Sequence, residues 1–319
     1  MEGVPIISEA NIMELRHIRY FLAIANEGSF TRAAEHLGIA QPPLSQQIKV
    51  LEQEIGVRLF RRLAHGAELT PAGHAFRAAV IHIPDQVGEG VRLARRAAAG
   101  ETGILRIGVT GTAALNPLVP ACIRTYRRQY PDVELQVMEA AALALTPALL
   151  EDRLDVALLR PSQSDPDTLL EEVLTDEPLL VALPASHPLA RRGTAIDLME
   201  LRDDPFILTP RNVGTSLHDA SIKACQEAGF TPRLGPAAPQ IASILSLVAA
   251  ELGVSLLPES VAQVKMQNIV LLPSGGPPPR LSISLAYRRG TTSPVVKNFV
   301  LAARIAARET QTPDVPAVE

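Results

Sequence analysis

The sequence predicts an α + α/β protein, with a small helical domain at the N-terminus, one connecting helix, and a larger region of alternating strands and helices. Residues 14–55 hold three apolar patterns with helical spacing. From residue 104 onward, short apolar runs alternate with helical patterns. Such alternation is typical of mostly parallel sheets with helices on both faces.

The most informative segment is a pair of predicted helices within residues 30–55. The first ends at Gly38, and the second opens at Gln41 with Pro42 and Pro43 in its first turn, where a missing N–H is tolerated. The predicted buried stripe of the second helix is Leu44, Ile48, Leu51 and Ile55. Its predicted outer face is Ser45, Gln46, Lys49 and Gln53. This is a helix-turn-helix pattern, whose second helix fits a DNA major groove about 12 Å wide. The alternative is an ordinary helical hairpin, whose outer face more often mixes acidic and basic residues.

A further helix pattern precedes this pair, and a hairpin pattern follows it. The preceding helix has its apolar positions at Leu15, Ile18, Phe21, Leu22 and Ala25. After the pair, residues 59–62 and 69–70 flank a turn at His65 and Gly66, which predicts a short two-stranded wing. Residues 13–72 are therefore predicted to form a winged helix-turn-helix, preceded by a disordered extension at 1–12.

Residues 13–75 resemble the LysR-type transcriptional regulators, through MELRHIRYFLAIANEGSFTRAAEHLGIAQPPLSQQIKVLEQEIGVRLFRR and LTPAG. The likeness continues more loosely through VALPASHPLA (181–190) and SLVAAELGVSLLPES (246–260). The forms AQPPLSQQI and RIGVTGT (106–112) are most similar to the subgroup that responds to aromatic acids and their breakdown products. The family implies double-stranded DNA as a partner, tetramers built as dimers of dimers, and RNA polymerase as a further partner.

The resemblance also implies which residues meet DNA. Gln41, Pro42, Pro43 and Ser45 are expected to approach bases or phosphates. Gln46 is expected to hydrogen-bond an adenine edge, although relatives often carry Arg there. Lys49 either joins them or lies on the outer surface. Arg61, Arg62 and Thr70 are expected to contact phosphates along the wing.

Residues 73–100 are predicted to form a linker helix. Apolar side chains recur at 76, 80, 83, 87, 91, 94 and 98, spacings that suit pairing with another helix. Pro84 lies inside this run, so the helix is expected to kink or break there. One interpretation is therefore two short helices that do not pair, whereas the resemblance implies a dimerising linker.

Residues 101–308 are predicted to form the α/β region, followed by a disordered tail at 309–319. The resemblance implies two subdomains, similar to periplasmic solute-binding proteins, at 101–175 plus 270–308 and at 176–269, with the chain crossing near 173–177 and 268–272. Strands are predicted at 104–109, 133–138, 154–159, 178–183, 206–208, 254–257, 269–272 and 281–287. Helices are predicted at 116–129, 146–152, 216–228, 241–251 and 294–308.

The strand ends of this region predict an effector site, because ligands of open α/β sheets sit beyond the carboxyl ends of strands. Thr110, Gly111 and Thr112 follow a strand and precede a helix, where they suit a carboxylate, although Thr112 equally suits a helix cap. Ala142 stands where relatives usually have Ser or Thr, which favours a less polar or bulkier effector. Arg160 either pairs with an acid or bridges to a loop carboxylate. By resemblance, Thr209 and Pro210 face the same cleft.

Composition narrows the function classes. The formal net charge is −4, but residues 1–100 hold 11 Lys and Arg against 10 Asp and Glu, and the remainder holds 19 against 24. DNA affinity must therefore come from a few placed contacts and from dimerisation. No nucleophile elbow, phosphate loop, metal-ligand spacing or cofactor motif appears, so neither an enzyme nor a cofactor is expected. Cys122 and Cys225 are expected to be free thiols in a reducing cytoplasm.

These features predict an effector-responsive transcription regulator that binds a small organic acid, either aromatic or carboxylic. The alternative is a constitutive DNA-binding regulator without an effector. A solute-binding protein would need export and would not carry a helix-turn-helix. No membrane partner is expected, because no apolar run approaches the ~18–20 residues of a membrane span.

Overall fold

The described residues, 13–63, 66–161 and 166–311 of a computed structural model, fall into two units. The first unit ends at Arg95 and the second begins at Arg96. The predictions for 1–12, for His65 and for 312–319 lie outside the described residues.

The first unit is built from helices and one hairpin. Its elements are α1 (Leu15–Glu27), α2 (Phe30–Leu37), α3 (Gln41–Ile55), β1 (Phe60–Leu63), β2 (Gly66–Leu69), α4 (Pro71–Val80) and most of α5 (Ile83–Ala98). Gly28 and Gly38 end α1 and α2 in the left-handed conformation, with φ of 61° and 67°. Glycine adopts this conformation without the steric cost that a side chain would add. The predicted helix-turn-helix and its antiparallel wing, β1 with β2, are confirmed.

The LTPAG segment attaches α4 to the wing. The Thr70 hydroxyl caps α4 by accepting a hydrogen bond from the Gly73 N–H (3.0 Å), and it donates one to the Arg58 carbonyl (2.8 Å). A Cβ on Gly73 would lie 2.1 Å from the Leu59 carbonyl oxygen, so only glycine fits between α4 and the strand. The segment therefore fixes the start of α4 against the wing.

The predicted linker helix at 73–100 is two helices, so the break expected near Pro84 is confirmed at residues 81–82. The first helix begins at Pro71, earlier than predicted, and Pro84 lies in the first turn of α5. Val80 is buried and Phe76 packs against Phe21 with ring centroids 4.9 Å apart, so both belong to the core of the first unit. The apolar positions predicted for pairing, 76, 80, 83, 87, 91, 94 and 98, form a seam. Only the part of this seam that lies on α5 remains available for pairing with a second copy.

The second unit alternates strands and helices over residues 96–311. Its strands are β3 (Gly103–Val109), β4 (Val133–Glu139), β5 (Val156–Leu159), β6 (Leu169–Pro184), β7 (Pro205–Phe206), β8 (Arg233–Leu234), β9 (Ser255–Pro258), β10 (Ile269–Pro273) and β11 (Arg280–Arg288). Its helices are α6 (Gly111–Ala114), α7 (Leu118–Gln129), α8 (Ala142–Leu150), α9 (Thr215–Glu227), α10 (Ile241–Ala249) and α11 (Pro294–Gln311), with short 3-10 turns at Pro188–Arg192, Leu198–Leu201 and Glu259–Gln263.

Strand β6 joins two subdomains. Its first part, 169–178, pairs with β11, and its second part, 179–184, pairs with β9 and β10. The strand order is β10-β6-β11-β5-β3-β4, with β9 also on β6. The predicted crossing at 173–177 thus lies inside one continuous strand. The predicted crossing at 268–272 is wrong, because β10 still pairs with the second subdomain and the chain returns at residues 274–279.

The prediction of mostly parallel strands is also wrong. Strands β3, β4 and β5 are parallel, whereas β6 and β11 pair antiparallel with their neighbours. The helix predicted at 116–129 is α7, which begins at Leu118, and the short helix α6 before it was not predicted. Helix α8 begins at Ala142 and not at 146, and α11 continues to Gln311 past the expected start of the tail. The α + α/β fold class itself is confirmed.

Each subdomain has its own core. One surrounds β3, β5, α7 and α11, with Tyr126 and Phe299 fully buried and in contact (5.3 Å between ring centroids). The other surrounds β6, β9, α9 and α10, with Phe206 at its centre. Two separate cores joined by two crossings leave a cleft between them.

Candidate DNA-binding surface and effector cleft

Helix α3 presents a polar face on a firmly packed base. Leu44, Ile48 and Leu51 are buried, and Ile55 is partly buried against them. Pro42, Pro43, Gln46, Lys49 and Gln53 are exposed, whereas Gln41 and Ser45 are half-buried. The Gln41 amide donates to the Ser45 hydroxyl at 2.8 Å, which holds both side chains at the first turn. The predicted face is thus present as one surface.

A buried histidine fixes α3 against α1. His17 is 3% exposed, and its Nδ1 accepts a hydrogen bond from the Glu14 N–H (3.3 Å). Because Nδ1 is an acceptor, Nε2 carries the proton and donates to Oε1 of Gln47 at 2.7 Å. The Gln47 amide group therefore keeps its N–H donors for other partners.

The wing residues differ in whether their side chains already have partners within the protein. Arg61 is paired with Glu68 at 2.7 Å, and the Arg62 guanidinium lies 4.7 Å from the centre of the Phe30 ring. Thr70 is the cap of α4, so its hydroxyl is already bonded within the fold. The expected phosphate contact of Arg61 must compete with Glu68.

A concave surface of about 810 Å³ lies between α3 and the wing. It is lined by the predicted Ser45, Lys49, Arg61, Arg62 and Thr70, and by Gln53. Arg58 also lines it, was not among the predicted contacts, and is exposed with its side chain free of described partners. Glu52 lines it too, but its Oε1 is bonded to the N–H groups of Leu59 and Phe60 (2.7 and 3.0 Å). The surface therefore gathers four cations.

A cavity of about 460 Å³ lies in the cleft between the two subdomains. One wall holds the predicted Thr110, Gly111, Thr112, Ala142 and Arg160. The opposite wall holds Thr209 and several apolar side chains: Val213, Leu217, Ile241, Leu245 and Val264. Pro210 does not line the cavity, because it forms a turn in which its carbonyl accepts from the N–H groups of Val213 and Gly214.

Besides the four-residue helix α6, three longer helices begin at this cavity without a side-chain cap. Their N-cap residues are Ala141 for α8, Gly214 for α9 and Gln240 for α10, and none makes a side-chain cap hydrogen bond. All three N-cap residues line the cavity. The first N–H groups of a helix lack internal partners and carry partial positive charge, so such ends attract anions.

The threonines of the first wall have distinct roles. Thr110 is the N-cap of α6, is 7% exposed, and its hydroxyl has no partner among the described residues. The interpretation of Thr112 as a helix cap is therefore wrong, because that position belongs to Thr110. The Thr112 carbonyl accepts a hydrogen bond from Arg160 at 2.9 Å.

Arg160 is engaged within the protein. It is 3% exposed and donates to Oε1 of Glu177 at 2.6 Å, so its partner lies in a strand and not in a loop as expected. Burial would raise the pKa of Glu177, but the hydrogen bond and charge of Arg160, with the Ser260 N–H at 2.8 Å, hold that pKa below its ordinary value. Both groups are charged at neutral pH, and the Arg160 charge is already neutralised.

Glu139 is a cavity residue that the sequence analysis missed. It ends β4, lines the cavity and is exposed. Its position, three residues before Ala142, was the available signal, since both follow the same strand. Gln240 and Ser216 also line the cavity and were missed, because their helix starts carry no capping signature.

Other kinds of site are not found among the described residues. These hold no group of three or more His, Cys, Asp and Glu side chains placed to bind a metal. Within the same residues, none of the helices combines the length and the apolar character needed to span a bilayer. Cys122 and Cys225 are buried, and burial raises the pKa of each thiol to about 12.

Two protein families match most of the chain. Residues 15–74 match the bacterial regulatory helix-turn-helix protein of the lysR family, and residues 98–308 match the LysR substrate binding domain. The chain belongs to the LysR family. It is a DNA-binding transcriptional regulator with a substrate-binding domain, as the resemblance predicted.

Individual LysR-family relatives match along nearly their whole lengths. The regulator AlsR of Bacillus subtilis is 34% identical over 296 residues, covering 90% of this chain and 94% of AlsR. YnfL of Escherichia coli is 38% identical over 288 residues, covering 90% and 96%. BenM of Acinetobacter baylyi is 35% identical over 277 residues, covering 86% and 90%. All three are named as transcriptional regulators, not as enzymes.

Solved structures of LysR regulators share the fold. Full-length CbnR in complex with its target DNA aligns with a TM-score of 0.78 at 27% identity, covering 92% of this chain and 100% of CbnR. Full-length BenM aligns with a TM-score of 0.59 at 34% identity, covering 94% and 99%.

Proposed function

We propose that this LysR-family regulator responds to a small organic acid bound in the cavity between the two subdomains. The observation that carries the proposal is the convergence of three uncapped helix starts on one cavity, beside the unpartnered Thr110 hydroxyl. A carboxylate would accept hydrogen bonds from the free N–H groups and from that hydroxyl. The apolar opposite wall suits a hydrocarbon or aromatic body.

On the DNA side, α3 reads bases and the wing holds phosphates. Gln41, Pro42, Pro43, Ser45 and Gln46 form the base-reading face, which is supported by their place on one surface at the start of α3, where Pro42, Pro43 and Gln46 are exposed. Lys49, Arg58, Arg61 and Arg62 supply the phosphate contacts, and Thr70 positions the wing. We further propose that α5 joins two copies, that the dimers pair into tetramers, and that RNA polymerase is contacted at the promoter in the cytoplasm.

The acid changes transcription by closing the cleft. Two crossings join the subdomains, so they are able to hinge. A ligand shifts the closure equilibrium only by its differential affinity for the two states. The second candidate function, a constitutive regulator, leaves the buried hydroxyl of Thr110 without a partner among the described residues and gives no role to the helix starts at the cavity.

Substitution of Thr112 tests the effector site. In the full-length protein, Thr112→Val removes a hydroxyl that lines the cavity at nearly constant volume. We expect acetate, benzoate or 3-phenylpropanoate to raise the melting temperature of the wild type, and the affinity of whichever binds to fall by about 1–3 kcal/mol in the variant.

Thr231→Val is the matched control, because Thr231 is exposed and does not line the cavity. DNA affinity without acid should be the same in all three proteins. Equal acid affinity in Thr112→Val and the wild type would place the acid elsewhere, and the absence of any acid binding would favour the constitutive regulator.

A further inference from the structure

The mouth of the cavity carries a free carboxylate. Among the described residues, the Glu139 side chain has neither a hydrogen-bond donor nor an ion-pair partner. Its Oε1 lies 2.8 Å from the point that a Cβ on Gly111 would occupy. The absence of a side chain on Gly111 thus leaves the space in which the Glu139 carboxylate sits.

This carboxylate sets the charge of the cavity. Glu139 and Arg160 are the charged residues among the described lining. Arg160 is already paired with Glu177, a buried residue at 2.6 Å. The lining therefore has one uncompensated negative charge, on the exposed Glu139, and the partial positive charges of the helix starts elsewhere on its walls.

An acid in this cavity meets two opposite demands. Its carboxylate is attracted to the helix starts, of which α8 begins only three residues after Glu139. A second carboxylate near Glu139 would be repelled, because a like charge nearby disfavours the charged form of each group. A hydroxyl or ammonium group in that place would instead donate a hydrogen bond to a charged acceptor.

We infer that the effector is a monocarboxylic acid that also carries a hydrogen-bond donor, a hydroxyl or an ammonium group, which Glu139 binds. Glu139 is then the residue that selects hydroxy or amino acids against plain acids and dicarboxylates. This inference rests on the proposed function, because it assumes an acid in the cavity.

Four probes that share a phenyl group separate the possibilities. They are 3-phenylpropanoate, 3-phenyllactate, phenylalanine and phenylsuccinate, measured by calorimetric titration of the full-length protein. We expect 3-phenyllactate or phenylalanine to bind at least about tenfold more tightly than 3-phenylpropanoate, as a hydrogen bond to a charged group allows. Phenylsuccinate should bind most weakly. Tighter binding of 3-phenyllactate would identify the effector as a hydroxy acid, and tighter binding of phenylalanine would identify it as an amino acid.

Two variants act on the carboxylate by different routes. Glu139→Gln removes its charge, and Gly111→Ala places a methyl group 2.8 Å from its Oε1, so that the carboxylate must move away. Both should reduce the preference for the donor-bearing probe by about tenfold, and Glu139→Gln should strengthen phenylsuccinate. Glu134→Gln is the control, because Glu134 is exposed on the same strand and bonded to Gln136 (2.8 Å).

The outcomes separate the two proposals. If 3-phenylpropanoate binds the wild type as tightly as the donor-bearing probes, the inference is wrong while acid binding stands. The same holds if the preference survives in both variants. If none of the four acids binds the wild type, the inference fails, and the proposed function fails with it when acetate and benzoate do not bind either.

Discussion

Arg160 connects more parts of the second unit than any effector-site residue predicted with it. Its guanidinium contacts the Thr112 carbonyl on the cavity wall and Glu177 on β6, the first crossing. It also donates to the Leu281 carbonyl on β11 at 3.3 Å, just after the second crossing. Glu177 in turn binds the Ser260 N–H in the second subdomain. One buried ion pair thus spans both crossings and both subdomains.

Glu177→Gln should destabilise the second unit. The substitution leaves the Arg160 charge buried without its counter-ion, and breaking a buried pair in this way costs about 3–5 kcal/mol. Chemical denaturation of the full-length protein at pH 7 measures the loss. Glu151→Gln is the control, because Glu151 pairs with Arg153 on the surface and an exposed pair contributes only about 0–1 kcal/mol.

The same pair predicts a pH dependence. The pKa of Glu177 is lower in the folded protein than its ordinary value of about 4.3. Its stabilisation is therefore fully present above the ordinary value and is lost as pH falls through the lower folded value. The stability difference between wild type and Glu177→Gln should accordingly shrink below about pH 4. A difference that stays constant down to pH 2 would contradict the pairing.

For individual residues, the sequence predicted several that line the cavity but not the groups to which they are bonded. Thr110, Gly111, Thr112, Ala142 and Thr209 follow strands or begin helices, which are local signals, and all line the cavity. The local sequence does not indicate the partner of Arg160, because Glu177 lies 17 residues away, in the half of β6 that the sequence does not predict.

At the scale of elements, local signals account for what was predicted correctly. Gly38 marks the end of α2, as predicted. The start of α4 was predicted two residues late, at 73, although Thr70 and Pro71 are its local signals. Only the second half of strand β6 was predicted. Its first half contains several charged residues and few buried ones, a composition that is typical of a loop. Its structure depends on pairing with β11, more than 100 residues later, which no local pattern records.

The recognition helix and the wing should respond differently to substitution. Gln46→Ala should change specificity by about 1–3 kcal/mol at one base pair, because a base-edge contact is lost. Arg62→Ala should weaken all sites together, because phosphate contacts do not depend on sequence. Fluorescence anisotropy on a duplex selected from a random library, and on its single-base variants, measures both.

Glu68→Gln provides a matched test of the wing. The substitution frees Arg61 from its 2.7 Å ion pair, so affinity for every duplex should rise and its salt dependence should steepen.

The Gln46 prediction has its own contradicting outcome. Identical binding of all duplexes by Gln46→Ala and wild type would remove Gln46 from the base-reading face.

Helix α5 makes a separate prediction about assembly. None of its residues is buried within the chain, and Val87 and Val91 are 41% and 46% exposed. Burial of one such side chain against a second copy contributes about 1.5–3 kcal/mol, so Val87→Asp should raise the dimer dissociation constant at least about tenfold. Sedimentation velocity measures this, with Gln86→Asp as the control on the same helix outside the seam. A variant that stays associated would place the interface elsewhere.

For the whole molecule, net charge explains why assembly matters. The chain is acidic overall at −4, and four of its cations lie on the concave surface between α3 and the wing: Lys49, Arg58, Arg61 and Arg62. A single copy therefore offers few phosphate contacts. Two copies joined through α5 would double them, with half-sites about 34 Å apart or at multiples of that spacing.

The effector and DNA should influence each other by the same factor. If acid binding favours one closure state and that state changes how two copies hold DNA, linkage requires the two affinities to shift equally, typically by about 5–150-fold. The acid that binds most tightly in the calorimetric titrations is the probe. Its dissociation constant is measured with and without saturating duplex, and that of the duplex with and without saturating acid.

For the wild type and for Thr231→Val, we expect the duplex to change acid affinity and the acid to change duplex affinity by the same factor, and this factor should differ from one. Thr112→Val should bind the acid more weakly yet show the same factor once saturated, provided that its hydroxyl contributes equally to both closure states. A factor of one in the wild type, despite tight acid binding, would mean that the cavity does not control DNA affinity. Regulation would then have to operate through the bend imposed on DNA, which electrophoretic mobility of circularly permuted duplexes measures directly.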